Sequence, residues 1–154
     1  MRIKILVMDV DGTLTDGKIY IGSEGEMLKA FNVKDGLGIS KLRSLNIIPA
    51  IITGRESEIL KRRSEELKIE ELYQGEENKI EKLKELVERY RCSLAEVAYI
   101  GDDENDLQCM RESGFTGCPA DAVDAVKKEV DYICNKSGGE GAVREFIEQI
   151  ILQI

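Results

Sequence analysis

The stretch "LVMDVDGTLTDG", Leu6 to Gly17, places three acidic residues, Asp9, Asp11 and Asp16, at the end of the first apolar run of the chain. Ile3 to Met8 is short, apolar and followed by turn chemistry at Asp11-Gly12, which reads as a buried strand closed by a tight turn. Carboxylates that close repel one another, so the arrangement costs stability unless a cation or a reaction uses it.

The same pattern recurs further along. "IIPAIIT" reads as a second buried strand ending at Thr53, before Gly54, and "VAYIG" as a third that runs straight into "DDEND" with Asp102 and Asp103. Between and beyond these strands the spacing predicts helices at Gly38–Leu45, Glu56–Leu67, Glu77–Tyr90, Asn105–Glu112, Asp121–Lys128 and Gly141–Gln153. Lys18–Ile21 and Met27–Val33 flank "GSEGE" and read as a β-hairpin, and "SLAE" at Ser93–Glu96 fits a capping box. Short strands are expected near Leu72-Tyr73, at Phe115–Cys118 and at Asp131–Cys134.

Strand–helix alternation at this pitch predicts an α/β fold: a Rossmann-like three-layer parallel sheet with helices on both faces, plus the hairpin after the first strand. In such sheets ligands sit outside the carboxyl ends of the strands, near the switch in strand order. One crevice then gathers Asp9, Asp11, Asp102 and Asp103 with the Thr53 hydroxyl. Gly12, Gly54 and Gly101 allow turns whose amides can face an anion. Several carboxylates at one strand edge favour a hard divalent cation, Mg2+ first among them, and the complement of cation, hydroxyl, lysine and turn amides is a phosphoryl group. Acidic residues also serve after strands as turn formers and caps, the plain alternative for any one of them.

The 154 residues fit one domain, 1–154, and carry a formal net charge of −8, which argues against a nucleic-acid partner. No apolar run is long enough to span a bilayer and no signal peptide precedes "IKILVM", so a cytoplasmic protein without a membrane partner is expected. Cys92, Cys109, Cys118 and Cys134 form no CxxC pair and read as free thiols. Histidine is absent altogether, which removes Ser-His and Cys-His nucleophile activation and imidazole acid–base catalysis.

"DVDGTLTDG", "IITGR", Asn78-Lys79 and "GDDEND" together resemble the four ordered motifs of the haloacid dehalogenase superfamily phosphatases. The resemblance implies Asp9 as the nucleophile that forms a phosphoaspartyl intermediate and Asp11 as the acid that protonates the leaving oxygen and then activates water. It implies Thr53, Gly54 and Lys79 around the transferring phosphoryl group, and Asp9, the backbone carbonyl of Asp11, and Asp102 as ligands of Mg2+. Asp103 and Asp106 then act from behind these ligands. Taken alone, Lys79 has a plain alternative as a solvated helix lysine, although its place near the start of a helix is unfavourable for the dipole and supports a specific anionic partner. A catalytically silent oligomerisation module is the alternative of another class; its mark is the loss of one of these residues, and Asp9, Asp11, Lys79 and Asp102 are all present.

The stretch between Gly17 and Thr53 has room for a hairpin and one helix, so no cap domain is expected. An open pocket needs another means of excluding water. "FNVKDGLGI" and "GGEGAVREF" resemble the capless tetrameric sugar-acid phosphatases, which implies a homotetramer and a small-molecule sugar-acid phosphate as substrate. An eight-carbon acid, 3-deoxy-D-manno-octulosonate 8-phosphate, is the first expectation, with lipopolysaccharide biosynthesis as its context. A nine-carbon ulosonic acid 9-phosphate of the sialic acid type is the alternative. Arg55 fits the eight-carbon branch, whereas Glu140 departs from the basic residue often found between those glycines. Arg55, Arg63 and Arg144 are candidate contacts to the sugar carboxylate, since a guanidinium fork matches two oxygens, or else ion-pair partners at a surface or interface.

Overall fold

The computed structural model describes residues 1–154. In chain order the elements are β1 (Ile5–Met8), β2 (Tyr20–Gly22), β3 (Gly25–Leu28), α1 (Val33–Lys41), β4 (Ile48–Ile52), α2 (Glu58–Glu66), β5 (Glu71–Tyr73) and α3 (Lys79–Arg89). There follow β6 (Val97–Ile100), α4 (Leu107–Glu112), β7 (Phe115–Cys118), α5 (Asp124–Lys127), β8 (Tyr132–Ile133) and α6 (Ala142–Gln153).

Six strands form one sheet in the order β5-β4-β1-β6-β7-β8, parallel at every pairing, while β2 and β3 make a separate antiparallel hairpin. The chain winds from β1 outward to β5 and then returns to β6 on the other flank of β1, so the switch in strand order falls beside β1. Every residue of β1 and β6 is buried, as the continuous apolar runs require for strands covered on both faces. Ile5, Val7, Val97 and Tyr99 pack with Leu83 and Leu86 of α3 and Cys109 of α4. Leu6, Met8, Ala98 and Ile100 pack with Ile39 of α1, Leu60 of α2 and Phe146 of α6. Each such fully buried aliphatic side chain contributes about 1.5–3 kcal/mol.

The three-layer fold matches the expectation, and the differences are local. The hairpin strands are shorter than the expected Lys18–Ile21 and Met27–Val33, because pairing begins at Tyr20 opposite Leu28 and the ladder runs inward to Gly22 and Gly25. Helix α1 begins five residues before Gly38, where Asn32 caps it by accepting the N–H of Lys34 at 2.8 Å. Gly36 and Gly38 make this stretch a poor helix on propensity. Their use is close packing: a Cβ on Gly38 would stand 3.0 Å from Arg144 Cδ and 3.2 Å from Ile147 Cδ1 on α6. Tertiary contact thus overrides local preference.

Helix α6 starts at Gly141, which offers no side-chain cap. Asp35 of α1 substitutes for one, its Oδ1 accepting the Arg144 N–H at 2.9 Å, while Oδ2 is buried without a partner. Burial pushes the Asp35 carboxyl up to about 6; the Arg144 N–H and the charges of Arg63 and Arg144 oppose this, and Glu140 adds to it. The folded-state value lies above the unfolded value of about 3.9, so the native state binds the extra proton and stability falls as pH climbs from about 4 to about 6. Asp35→Asn keeps an acceptor for Arg144 and removes the buried charge. It is expected to raise stability at pH 7.5 by about 1–3 kcal/mol, with the gain shrinking towards zero near pH 4. Urea unfolding at both pH values checks this; a variant less stable than the native chain at pH 7.5 contradicts it.

Candidate active site

Each parallel strand of the centre hands one polar residue to the same edge. Met8 pairs with Ile51 and Ile100, so Asp9, Thr53 and the Gly101-Asp102 turn leave the sheet side by side. The Asp9 N–H donates to Ile100 O at 3.1 Å, which prolongs β1 by one residue and fixes where its side chain emerges. Asp9 has the parity of Ile5 and Val7 and therefore faces α3, whose first residue is Lys79.

Lys79 is 4% exposed, and its Nζ stands 3.1 Å from Asp9 Oδ1 and 2.9 Å from Asp106 Oδ1. Burial pushes the ammonium down, but Asp106 and Asp9 outweigh it and hold Lys79 above its ordinary value. Carboxylate oxygens of Asp9, Asp102 and Asp106 lie within 4.8 Å of one another. Burial first, and then Asp9, push Asp102 up to about 8, while the Thr13 hydroxyl donating to Asp102 Oδ1 at 3.2 Å opposes the rise. Asp106 is pushed up to about 6, because burial and Asp9 exceed what Lys79 and the Tyr99 hydroxyl, donating at 2.6 Å, give back. The Lys79 ammonium contacts two of these three carboxylates, Asp102 has no cationic partner, and Asp106 Oδ2 is buried with no partner. Excess negative charge at an oxygen-only cluster is what a hard divalent cation neutralises, so these residues fit Mg2+.

The backbone at this corner is built for close approach. Gly12 has φ +91°, and a Cβ there would fall 2.0 Å from Asp102 Oδ2. Asp9, Asp11, Thr53, Gly54, Arg55, Asp102, Asp103 and Asn105 line an open cavity of ≈ 150 Å3. Thr53 is anchored by its N–H, which donates to Tyr73 O at 2.9 Å. The Asp11 carboxyl is turned away from the three-carboxylate cluster towards Lys29 Nζ at 2.7 Å, with Arg55 Nε at 3.8 Å from its other oxygen. Asp103 caps the following turn, accepting the Glu104 N–H at 2.7 Å.

Arg63 and Arg144 stand elsewhere. Arg63 lies over the Phe31 ring at 5.5 Å, and Arg144 donates to Glu148 Oε1 at 2.9 Å and to Lys34 O at 3.2 Å. Within this chain neither lines the cavity that holds Asp9, whereas Arg55 does. A larger groove of ≈ 410 Å3, lined by Arg43, Ile48 and Glu71 among others, opens at the opposite end of β4 and β5 and holds no residue of the four motifs.

Three contributors escape the sequence reading. Tyr99 carries a hydroxyl inside the apolar run "VAYI" and Lys29 interrupts the apolar string "MLKAF", each a signal of an inward hydrogen bond, whereas Thr13, between Gly12 and Leu14, gives no such signal. The first two glycines of "GGEGAVREF", Gly138 and Gly139, prove to be packing residues. A Cβ on Gly138 would fall 2.0 Å from Gly12 O, and the Gly139 N–H donates to Thr13 O at 3.2 Å, so this loop clamps the backbone of the first motif.

Residues 63–147 match the family model described as haloacid dehalogenase-like hydrolase. The chain is 43% identical over 151 residues to 3-deoxy-D-manno-octulosonate 8-phosphate phosphatase KdsC of Salmonella typhi, covering 98% of this chain and 80% of that protein. Among solved structures it superposes with a TM-score of 0.93 and 45% identity on the Moraxella catarrhalis phosphatase of the same name, crystallised with magnesium, phosphate and KDO; the match covers 97% of this chain and 86% of that one. The cobalt-bound Haemophilus influenzae enzyme gives a TM-score of 0.95 at 38% identity, over 98% of this chain and 88% of that one. Near-complete coverage at this identity carries the first motif as well as the matched region, and on that ground the chain belongs to the haloacid dehalogenase-like hydrolases, within the 3-deoxy-D-manno-octulosonate 8-phosphate phosphatases.

Proposed function

We propose that this phosphatase hydrolyses 3-deoxy-D-manno-octulosonate 8-phosphate to the free sugar acid and phosphate, with Mg2+ as its cofactor. The observation that carries the chemistry is the buried ammonium of Lys79 shared by Asp9 and Asp106 beside Asp102, at the strand edge where Thr53 and Gly54 emerge. The substrate follows from the identity to the KdsC proteins and from the Moraxella structure with KDO.

In this reading a carboxylate oxygen of Asp9 attacks phosphorus, the phosphorus–oxygen ester bond breaks, and the leaving oxygen takes the proton of the Asp11 carboxyl. Asp11, now a carboxylate, takes a proton from water. The water oxygen attacks the phosphoryl group and displaces Asp9, releasing phosphate. Lys79, the Thr53 hydroxyl and the Gly54 N–H hold the phosphoryl oxygens. Asp9, the Asp11 carbonyl and Asp102 hold Mg2+, with Asp103 and Asp106 behind them. When bound, the ion neutralises charge on the phosphoryl oxygens and among the crowded carboxylates.

Residues 1–154 act as one phosphatase domain, because both cores run against one sheet to which the first and last strands belong. The open cavity is closed in a homotetramer. Ile21 (69% exposed) and Met27 (66%) on the hairpin and Val33 (80%) on α1 support that reading, since they are large apolar groups left in water. Arg63 and Arg144 then serve either a neighbouring subunit's sugar carboxylate or the interface itself. No helix is long and apolar enough to cross a membrane; a cytoplasmic enzyme of lipopolysaccharide biosynthesis is the reading that goes with this substrate.

Phosphate release from the eight-carbon 8-phosphate and from nine-carbon ulosonic acid 9-phosphates tests the assignment. The expected result is at least about a tenfold preference in kcat/KM for the eight-carbon ester, within what a few pocket contacts deliver. EDTA is expected to abolish turnover and added Mg2+ to restore it. A preference for the nine-carbon acid, or turnover that survives the chelator, overturns the reading.

A further inference from the structure

The hairpin exposes its apolar residues and buries a charge. Leu28 is 47% exposed, whereas the side chain of Lys29, the next residue, is 4% exposed. Ammonium groups are turned inward only where partners repay the lost hydration. Lys29 has two: Asp11 Oδ1 at 2.7 Å and Glu26 Oε2 at 3.1 Å.

Glu26 is in turn braced from the main body. Its Oε1 accepts the hydroxyl of Ser57, the residue that caps α2, and the Ser57 N–H donates to Gln74 Oε1 at 2.7 Å. A continuous chain of polar contacts therefore runs from the α2 cap through Glu26 and Lys29 to Asp11. Arg55 does not substitute for this chain. Its Nε is 3.8 Å from Asp11 Oδ2 and its side chain is 49% exposed, a geometry in which solvent screens most of the attraction.

We propose that Lys29 is a positioning residue for Asp11. By donating to Oδ1 it fixes the rotamer of the carboxyl and reserves Oδ2, the oxygen not taken by Lys29, for the proton that passes to the leaving group and is later recovered from water. The inference rests on the reading of Asp11 as the acid and base. An acid with a free rotamer at an open cavity mouth loses the alignment that proton transfer needs, and a displacement of about 1 Å is enough to cost about 100-fold. The hairpin thus has a part in the chemistry of its own subunit, separate from any role in assembly.

The test uses two esters and kcat/KM, which reports the steps up to the first phosphorus–oxygen cleavage. p-Nitrophenolate leaves without a proton, whereas the alkoxide of the sugar acid needs one. Lys29→Met is expected to lose roughly 10- to 100-fold more on 3-deoxy-D-manno-octulosonate 8-phosphate than on p-nitrophenyl phosphate. Lys29→Arg, which keeps a charged donor, is expected to recover most of that difference. Glu26→Gln loosens the same ammonium without removing it and is expected to show the same selective loss at smaller size, which supplies the reading if the methionine variant does not fold. Asp11→Asn is the reference and is expected to show the largest selectivity. Equal losses on both esters in the Lys29 and Glu26 variants, with a selective loss in Asp11→Asn, overturn the positioning role alone. An unselective Asp11→Asn overturns the reading of Asp11 itself.

Discussion

Asp9→Asn is expected to lower kcat by at least about 10⁴-fold on any phosphate ester, the scale of loss when a covalent nucleophile is removed. The amide has nearly the shape of the carboxylate, and its oxygen can keep the 3.1 Å contact to Lys79, so the cavity survives while the attacking lone pair is lost. The same substitution is expected to leave stability unchanged or to raise it by about 1 kcal/mol. Asp9 is among the groups that push Asp102 up to about 8 and Asp106 up to about 6, so removing its charge relieves two buried neighbours. Opposite signs for activity and stability are the signature of a site that holds strain for function. Thermal unfolding without Mg2+ and single-turnover assays read the two quantities separately. A variant that keeps more than about 1% of native turnover contradicts the nucleophile assignment.

Lys79→Met is expected to reduce both quantities. It removes the ammonium shared by Asp9 and Asp106 and leaves the three-carboxylate corner without a protein cation. Truncating one partner of a buried pair costs about 3–5 kcal/mol, most of it the penalty on the charge left behind. The rate is expected to fall by about 10²- to 10³-fold, because a preorganised donor to the phosphoryl oxygens is lost as well. Mg2+ is expected to restore part of the stability, since a bound ion stabilises the folded chain by mass action and replaces the missing charge. It is not expected to restore the rate. Urea unfolding with and without Mg2+, set beside kcat/KM, separates the two. A loss under about 1 kcal/mol together with a rate change under about fivefold defeats the view of Lys79 as the central countercharge.

What was readable in the chain differs from residue to residue for physical reasons. Asp9, Thr53 and Asp102 are legible because each ends a continuous apolar run, and a run buried on both faces has one reading, a central parallel strand whose carboxyl end bears the site. Lys79 is legible only through its place among ordered motifs. As the first residue of α3 it stands at the helix end whose dipole disfavours a cation, and the compensation comes from Asp9, seventy residues away in the chain. The first turn of helix α1 is not legible locally, because Gly36 and Gly38 count against a helix, whereas Gly38 serves close packing on α6 and Gly36 serves it against Arg63 of α2 and Leu67.

The sequence by itself determined the layered parallel sheet, the order of its strand-end polar residues, the chemistry those residues share, and the absence of any imidazole route. These properties reside in periodicity and residue type, which act over a few neighbouring positions. Only the tertiary structure decided that Asp106 joins Asp9 and Asp102 within 4.8 Å, that Lys29 takes hold of Asp11, that Asp35 caps a helix more than one hundred residues further on, and that Arg63 and Arg144 stand apart from the cavity. Each of those pairings balances a buried charge or an unpaired polar group against a partner remote in the chain, and that balance depends on distances in space that no local pattern records.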